Sequence, residues 1–281
     1  MRVTKKELKR RYGRRLQRLD FFFLDRRQAN AVTLQHRRRH AIGMCVGLPF
    51  TIRTNLEHAL ANPEFLTEYL TPRERPGWSW RFLGMIAEHV YLHEAAHALR
   101  GHLAYLDRPG HVVDERAGGL SHYLELDADI HALDMWLAIT EAAEDFPSTQ
   151  DLLLDLYFQR VFTLLLLYQA LDAENLSIRE QKRLDHPPPV HRALLLAAAL
   201  RRTVPELYRF SSGTVENVHH QAFWEASVAA RGARLVPDRW WGGSTGRRRG
   251  IDSYRRRVRY YMEVVEPRLD AFAESLPDDH V

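Results

Sequence analysis

Two histidines and a glutamate form the motif His93–Glu94–Ala95–Ala96–His97, whose residue types and spacing suit metal chemistry. On a helix, a four-residue spacing puts both imidazoles on one face, where both can reach the same ion. Glu94 is rotated by one position, and its carboxylate can take a proton from an attacking water. The histidines continue the apolar stripe of Ile86 and Val90, and burying unpaired histidines would be costly. The motif predicts a divalent metal site; a surface helix with two solvated histidines is the alternative.

A catalytic zinc site needs a third protein ligand and an open position for water. The metzincin pattern fails, because it requires glycine and histidine where this sequence has Arg100 and Leu103. A second helix is the other source of a ligand, and the segment Glu125–Asp129 carries acids four residues apart on one face. Glu125 is the expected ligand, and Asp129 the expected acceptor for the second ring N–H of a ligating histidine. By itself, the same segment fits an acidic, solvated helix face equally well.

Three further histidines lie near these motifs. His89 precedes the first motif histidine by one turn and is a rival ligand. His122 precedes the expected carboxylate ligand by about one turn and is placed to line the cleft. His102 follows His97 by five residues, which rotates it away from the ligand face of a continuous helix. We expect His102 either to have a structural role or to contact a metal ligand without binding the metal itself.

Three motifs in one order resemble those of the HtpX/BepA/Oma-type zinc metallopeptidases, which also include the CAAX prenyl endopeptidase. The first motif and His102 are similar to that family's HExGHxxxxH helix, with Ala96 in place of the usual glycine. Glu125–x–x–Ala128–Asp129 is similar to its ExxAD helix, and His186–Pro187–Pro188–x–x–x–Arg192 to its HPPxxxR element. The resemblance covers about residues 83–200. Several family members span membranes, whereas no stretch here reaches ~18 uninterrupted apolar residues.

The resemblance implies a zincin-like core and a zinc ion held by His93, His97 and Glu125. It further implies that Glu94 acts as general base and then as general acid. Asp129 would not bind the metal itself but would accept a hydrogen bond from a histidine ligand and hold that ligand in place.

The same resemblance implies roles for the downstream element. His186 would donate a hydrogen bond to the oxyanion of the tetrahedral intermediate. Arg192 would pair with a carboxylate, Asp129 or another near the metal, and orient His186. The three prolines after His186 would hold it rigidly, although such a run can also serve only as the entry to a helix.

The segments that carry these residues are predicted to be helical. Residues 81–107 repeat apolar side chains at three- and four-residue steps, and Ser121 is a suitable N-cap for a helix through residue 142. The predicted helices elsewhere are a basic one over Thr4–Leu24, a buried one over 151–172, and others over 190–202, 215–230 and 252–275, the last kinked by Pro267. Residues 41–75 are predicted as short helices and turns, and 110–113 as a short strand. The predicted fold is mainly α, at most α+β with one small sheet.

Length and composition fit an ordinary globular protein. The 281 residues are 45% hydrophobic and 27% charged, which excludes collagen-like, low-complexity and disordered classes.

We predict a basic arm over 1–40 and one catalytic domain over 41–281, with a motif core at about 83–200 and an Arg-rich helical extension over 214–281. Cys45 is the only cysteine, and we expect a small buried hydrophobe there. With no disulfide and no convincing signal peptide, a cytoplasmic location is expected.

Positive charge is concentrated at the N-terminus. Residues 1–40 carry a net charge of +11, whereas the whole chain carries +4. The segments 2–18 and 247–259 are therefore candidate contacts for nucleic acid or an acidic partner.

The motifs together predict a zinc-dependent endopeptidase acting on a protein or peptide. An ImmA/IrrE-like or phage-exclusion-like regulatory protease with one protein target is an alternative, and the HPPxxxR element favours the first family. A second alternative is a non-catalytic zinc-containing protein that binds nucleic acid or a partner through its Arg-rich ends. The sequence does not indicate the oligomeric state or the cleavage preference.

Overall fold

The computed structural model describes residues 19–27, 30–36, 39–61, 75–106, 119–142, 149–171, 186–232, 256 and 258–276. Its strands are β1 (Asp20–Leu24), β2 (Ala31–His36) and β3 (Arg39–Cys45). Its helices are α1 (Gly47–Ala61), α2 (Arg75–Leu99), α3 (His102–Leu106), α4 (Gly119–Ala142), α5 (Gln150–Leu171), α6 (Pro189–Tyr208), α7 (Ser212–Gly232) and α8 (Glu266–Ser275), with a π-helical turn at Tyr261–Val265 before α8. The prediction of a mainly α fold with one small sheet is confirmed.

The sheet has three strands in the order β1-β3-β2. β1 runs parallel to β3, with Asp20 opposite Ala41, and β2 runs antiparallel to β3, with His36 opposite Arg39. The predicted boundary between an arm and a domain at residue 40 falls inside β3. Residues 20–24 and 31–36 therefore belong to the sheet that β3 centres.

Two secondary-structure predictions in this region are wrong. Residues 20–24 form a strand rather than the end of a basic helix, because consecutive phenylalanines favour a pleated surface. Residues 41–45 belong to β3 rather than to helices and turns, because a short apolar run does not distinguish a buried strand from a helix. Residues 4–18 of the predicted basic helix and the strand predicted at 110–113 lie outside the described residues.

The helices that carry the motifs pack against each other directly. α2 lies against α4, and α5 packs on α6 and α7. Ala95 and Ala96 on α2 and Ala128 and Ala132 on α4 are each 0% exposed. Small side chains at these positions let the two helix axes approach closely, so that polar side chains on both helices can meet.

The helix predicted over 81–107 is broken in the structure. α2 begins earlier, at Arg75, and ends at Leu99. Gly101 adopts a φ of 68°, the left-handed conformation that glycine tolerates best and that commonly ends helices. α3 then starts in a new direction at His102, so His102 does not continue the geometry of α2.

The remaining predicted helices are present with shifted ends. α4 starts at Gly119 rather than Ser121, and α6 continues to Tyr208 although Pro205 lies inside it. Pro267 lies in the first turn of α8, where proline is tolerated. None of the helices among the described residues combines the length and apolarity needed to cross a bilayer.

Candidate metal centre

Three side chains from two helices bring ligand atoms to one point. His93 and His97 come from α2 and Glu125 from α4, and one ligand atom of each lies within 4.8 Å of the others. The two histidine Nε2 atoms are 3.2 Å apart. Oε2 of Glu125 is 3.3 Å from His93 Nε2, and Oε1 is 3.3 Å from His97 Nε2. Among the described residues, this cluster can hold a metal ion.

The spacing of these atoms fits a tetrahedral metal. Bonds of about 2.0–2.2 Å at tetrahedral angles put neighbouring zinc ligands ~3.4 Å apart. Oε2 of Glu125 is buried and accepts no hydrogen bond of acceptable geometry, although cationic groups lie near it. A buried carboxylate oxygen facing two imidazole nitrogens is stabilised by a cation between them. The donor set and its geometry therefore fit a divalent ion.

Arg192 and His186 lie beside the carboxylate of Glu125. Nη1 of Arg192 and Nδ1 of His186 are each 3.1 Å from Oε2. Burial would raise the pKa of Glu125, but Arg192 and the surrounding imidazoles hold that pKa well below its ordinary value. Glu125 is therefore ionised at neutral pH and ready to bind a cation. The carboxylate in turn raises the pKa of His186.

His186 is the exposed member of the cluster. Its side chain is 62% exposed, whereas Pro187 and Pro188 are buried. α6 begins at Pro189, so the prolines connect His186 rigidly to the helix that carries Arg192. His186 lies at the solvent side of the donor cluster.

Behind the ligands, Asp129 fixes the orientation of His93. Asp129 is 0% exposed, and its Oδ1 is 3.0 Å from His93 Nδ1. Arg192 donates to both oxygens of Asp129, at 2.8 Å from Nε and 2.7 Å from Nη2. The hydroxyl of Tyr168 donates to Oδ1 at 2.9 Å. Asp129 therefore accepts the Nδ1–H of His93, and the Nε2 of His93 faces the cluster.

Without a bound cation, the groups around His93 favour its protonated form. Burial and Arg192 lower the pKa of His93, but the carboxylates of Asp129 and Glu125, which lie beside its two nitrogens, outweigh them and raise it to about 9. A metal ion must displace that proton to bind.

His97 is supported through His102 rather than directly by a carboxylate. Nδ1 of His102 lies 2.9 Å from Nδ1 of His97, and Nε2 of His102 lies 2.8 Å from Oδ2 of Asp127. The break at Gly101 makes this contact possible, which corrects the expectation that five residues rotate His102 away. Burial lowers the pKa of His102 to about 4, although Asp127 opposes this shift.

Glu94 contacts the sheet. The hydroxyl of Thr33, on the edge strand β2, lies 2.8 Å from Oε2 of Glu94 and 2.7 Å from its backbone oxygen. The structure places Glu94 on the helix of both histidine ligands, with its carboxylate held by Thr33.

The structure thus brings His93, His97, Glu125, Asp129, Arg192 and His186 into one cluster. Two other candidates lie outside the set of donors. His89 is buried and contacts the Tyr168 hydroxyl at 3.4 Å and Arg160 at 3.3 Å. His122 is buried on α4.

Sequence reasoning missed two contributors to this site. Tyr168 belongs to a helix whose uniformly apolar pattern gives no sign of a polar role. Thr33 meets Glu94 only because a strand 61 residues away packs on α2, and no local pattern carries that information. Cys45 is buried, as expected for a small hydrophobe. The basic segment 2–18 lies outside the described residues. So does most of the segment 247–259, of which residues 256, 258 and 259 are described.

Comparison of the chain with protein-family models, with curated proteins and with solved structures finds no match.

Proposed function

We propose that this chain is a zinc-dependent endopeptidase of the HtpX/BepA/Oma type. The observation that carries the proposal is a cluster of two histidine Nε2 atoms 3.2 Å apart, each 3.3 Å from a different oxygen of the Glu125 carboxylate. Two histidines and one glutamate are a donor set that zinc uses in peptidases.

An open position supports a catalytic ion over a structural one. Structural zinc sites usually have four protein ligands, whereas catalytic sites have three and a place for water. The described cluster has three donors, and His186 beside it is exposed to solvent. The side next to His186 is therefore where we place the substrate.

The residues of the chain have distinct roles in the proposed reaction. Zinc, when bound, supplies a Lewis acid and lowers the pKa of water. Glu94 takes a proton from the attacking water and delivers it to the leaving amine. His186 donates a hydrogen bond to the oxyanion of the tetrahedral intermediate. Asp129 and Arg192 hold His93 and Glu125 in place during these steps.

The test combines metal content with cleavage of a peptide library. We expect about one zinc per wild-type chain by elemental analysis, lost in His97→Ala and Glu125→Ala. Glu94→Gln should keep the zinc and lose cleavage by about 10²–10⁴-fold, because a general base contributes that much. Cleavage of a proteome-derived peptide library, read by mass spectrometry, supplies the activity measurement without a known substrate.

Two results would contradict the proposal. Zinc retained in Glu125→Ala would refute the ligand set. Zinc bound as expected, with no Glu94-dependent cleavage in the library or in a cell lysate, would favour a non-catalytic zinc protein. Cleavage of one lysate protein alone would favour a regulatory protease with a single target.

A further inference from the structure

A hydrogen-bonded chain leads from the ligand His97 to the C-terminal segment 258–276. Its links are His97 to His102, His102 to Asp127 and Asp127 to Tyr261. The distances are 2.9 Å between the two Nδ1 atoms, 2.8 Å from His102 Nε2 to Asp127 Oδ2, and 2.7 Å from the Tyr261 hydroxyl to Asp127 Oδ1. His102, Asp127 and Tyr261 are each at most 2% exposed, so water does not compete for these bonds.

The acceptor capacity of Asp127 is filled. Arg100 donates to Oδ2 at 2.8 Å and to Oδ1 at 3.0 Å, in addition to the bonds from His102 and Tyr261. Each oxygen therefore accepts two hydrogen bonds, which is what a carboxylate can accommodate. The C-terminal segment also holds Arg100, because Asp270 lies 2.8 Å from Nη1 of Arg100.

This arrangement fixes the tautomer of His97. A carboxylate only accepts, so Nε2 of His102 carries the hydrogen that Asp127 receives. In the neutral ring of His102, the hydrogen on Nε2 leaves Nδ1 as an acceptor, and that Nδ1 faces the Nδ1 of His97. His97 must then donate through Nδ1–H to His102. Its Nε2 lone pair is left facing His93 and Glu125, as a metal ligand requires.

The C-terminal segment is anchored by its own small core. Val265 is 5% exposed and Leu269 is 0% exposed, and with Tyr261 they pack against apolar residues of α3 and α4. The π-helical turn begins at Tyr261, and such turns are frequent at functional sites. The segment lies far from the ligands in sequence, but it packs against the helix that carries Glu125.

We propose that the C-terminal segment 258–276 is part of the metal site, and that Tyr261, Asp127 and His102 are positioning residues that set the tautomer of His97 for metal binding. The proposal depends on the proposed zinc site. It adds an element that lies outside the motif core and assigns it a role in metal affinity.

The test measures the affinity of the full-length protein for Zn²⁺ by competition with a chromophoric chelator. Supporting residues of this kind typically change metal affinity by about 10–100-fold. We expect His102→Ala to weaken zinc binding within that range. Tyr261→Phe, which removes one hydroxyl, should weaken it by several-fold. Tyr260→Phe is the matched control, because Tyr260 precedes Tyr261 and its ring lies against Tyr123 at 5.6 Å; it should bind zinc like wild type.

A second readout separates positioning from general stability. In zinc-free protein labelled with ¹⁵N-histidine, wild type should show His97 protonated at Nδ1. His102→Ala should shift His97 toward a mixture of tautomers, and circular dichroism should show that the variant is folded. A purely structural role would lower the melting temperature without changing the tautomer or the zinc affinity of folded protein.

The outcomes distinguish this proposal from the one on which it depends. Wild-type zinc affinity in both His102→Ala and Tyr261→Phe, or an unchanged His97 tautomer in folded His102→Ala, overturns the positioning role and leaves the zinc site intact. Wild-type protein that binds no zinc overturns both. If His102→Ala does not fold, Tyr261→Phe against Tyr260→Phe decides the question.

Discussion

Thr33 is the side chain that holds the motif glutamate, and its role is testable by isosteric substitution. Thr33→Val keeps the shape and removes the hydroxyl that contacts Glu94 at 2.8 Å. A hydrogen bond of this kind is worth about 1 kcal/mol, so kcat should fall by about five- to tenfold. Zinc content should not change, and Thr33→Ser should restore the rate. An unchanged kcat in Thr33→Val would show that Glu94 does not depend on this contact.

Arg192 is the shared counter-ion of two buried carboxylates. Arg192→Met leaves Glu125 and Asp129 together without that charge, and breaking a buried ion pair typically costs on the order of 3 kcal/mol. The measurement is urea unfolding of zinc-free protein. Arg201→Met is the matched control on the same helix, because Arg201 pairs with Glu216 at the surface and should change stability by less than about 1 kcal/mol. Equal losses of unfolding free energy in both variants would contradict the role of Arg192 as the counter-ion of the two buried carboxylates.

At the scale of elements, α4 presents acids in two directions. Glu125 and Asp129 are four residues apart and face the cluster, whereas Asp127 lies between them and points to His102. One helix therefore supports both histidines of the cluster, His93 through Asp129 and His97 through Asp127 and His102. The short break between α2 and α3 completes the arrangement, because it turns His102 back toward His97.

The break at Gly101 predicts opposite effects for two glycine substitutions. Gly101→Ala forces a side chain into a φ of 68° and should lower the free energy of unfolding by about 1 kcal/mol. Gly84→Ala, inside α2 with open space at its Cβ position, should raise it by about 0.5–1 kcal/mol. Chemical denaturation of both variants measures the difference. A stabilising Gly101→Ala would mean that α2 and α3 form a continuous helix in solution.

The packing of α7 on α5 predicts a pH effect on stability. The Tyr157 hydroxyl lies 3.0 Å from Nδ1 of His219, and partial burial lowers the pKa of His219 to about 4, below its ordinary 6.5. Between pH 6.5 and 4 the unfolded chain therefore binds more protons at this residue, and the free energy of unfolding falls as the pH falls. His219→Gln should flatten the pH dependence in that window. His220→Gln, at the exposed neighbour, should change it less, because burial outweighs the charge of His220 in lowering the pKa of His219.

In the molecule as a whole, sequence patterns were enough to predict the candidate metal ligands but not all the side chains that surround them. The HExxH spacing and the acids of α4 are local, and helical periodicity is enough to orient each set. The contacts of Thr33 with Glu94 and of Tyr261 with Asp127 join residues 61 and 134 positions apart. Such contacts depend on how the sheet and the C-terminal segment pack, which no local pattern records. Of the sheet, only its small size was predicted, because its short apolar strands resemble buried helix segments.

The proposed metal site joins three helices, and this predicts that zinc raises the melting temperature substantially. The ligands come from α2 and α4, and Arg192 and His186 bring α6 to the same point. An ion that binds only the folded chain stabilises it by about 2.7 kcal/mol at 100 times its Kd. For a chain of this size, that corresponds to a rise in Tm of about 5–10 °C over chelator-treated protein. Glu94→Gln should show the full rise, because it keeps all three ligands, and Glu125→Ala should show almost none. An equal rise in Glu125→Ala would mean that zinc stabilises the protein from a different site among its 15 histidines.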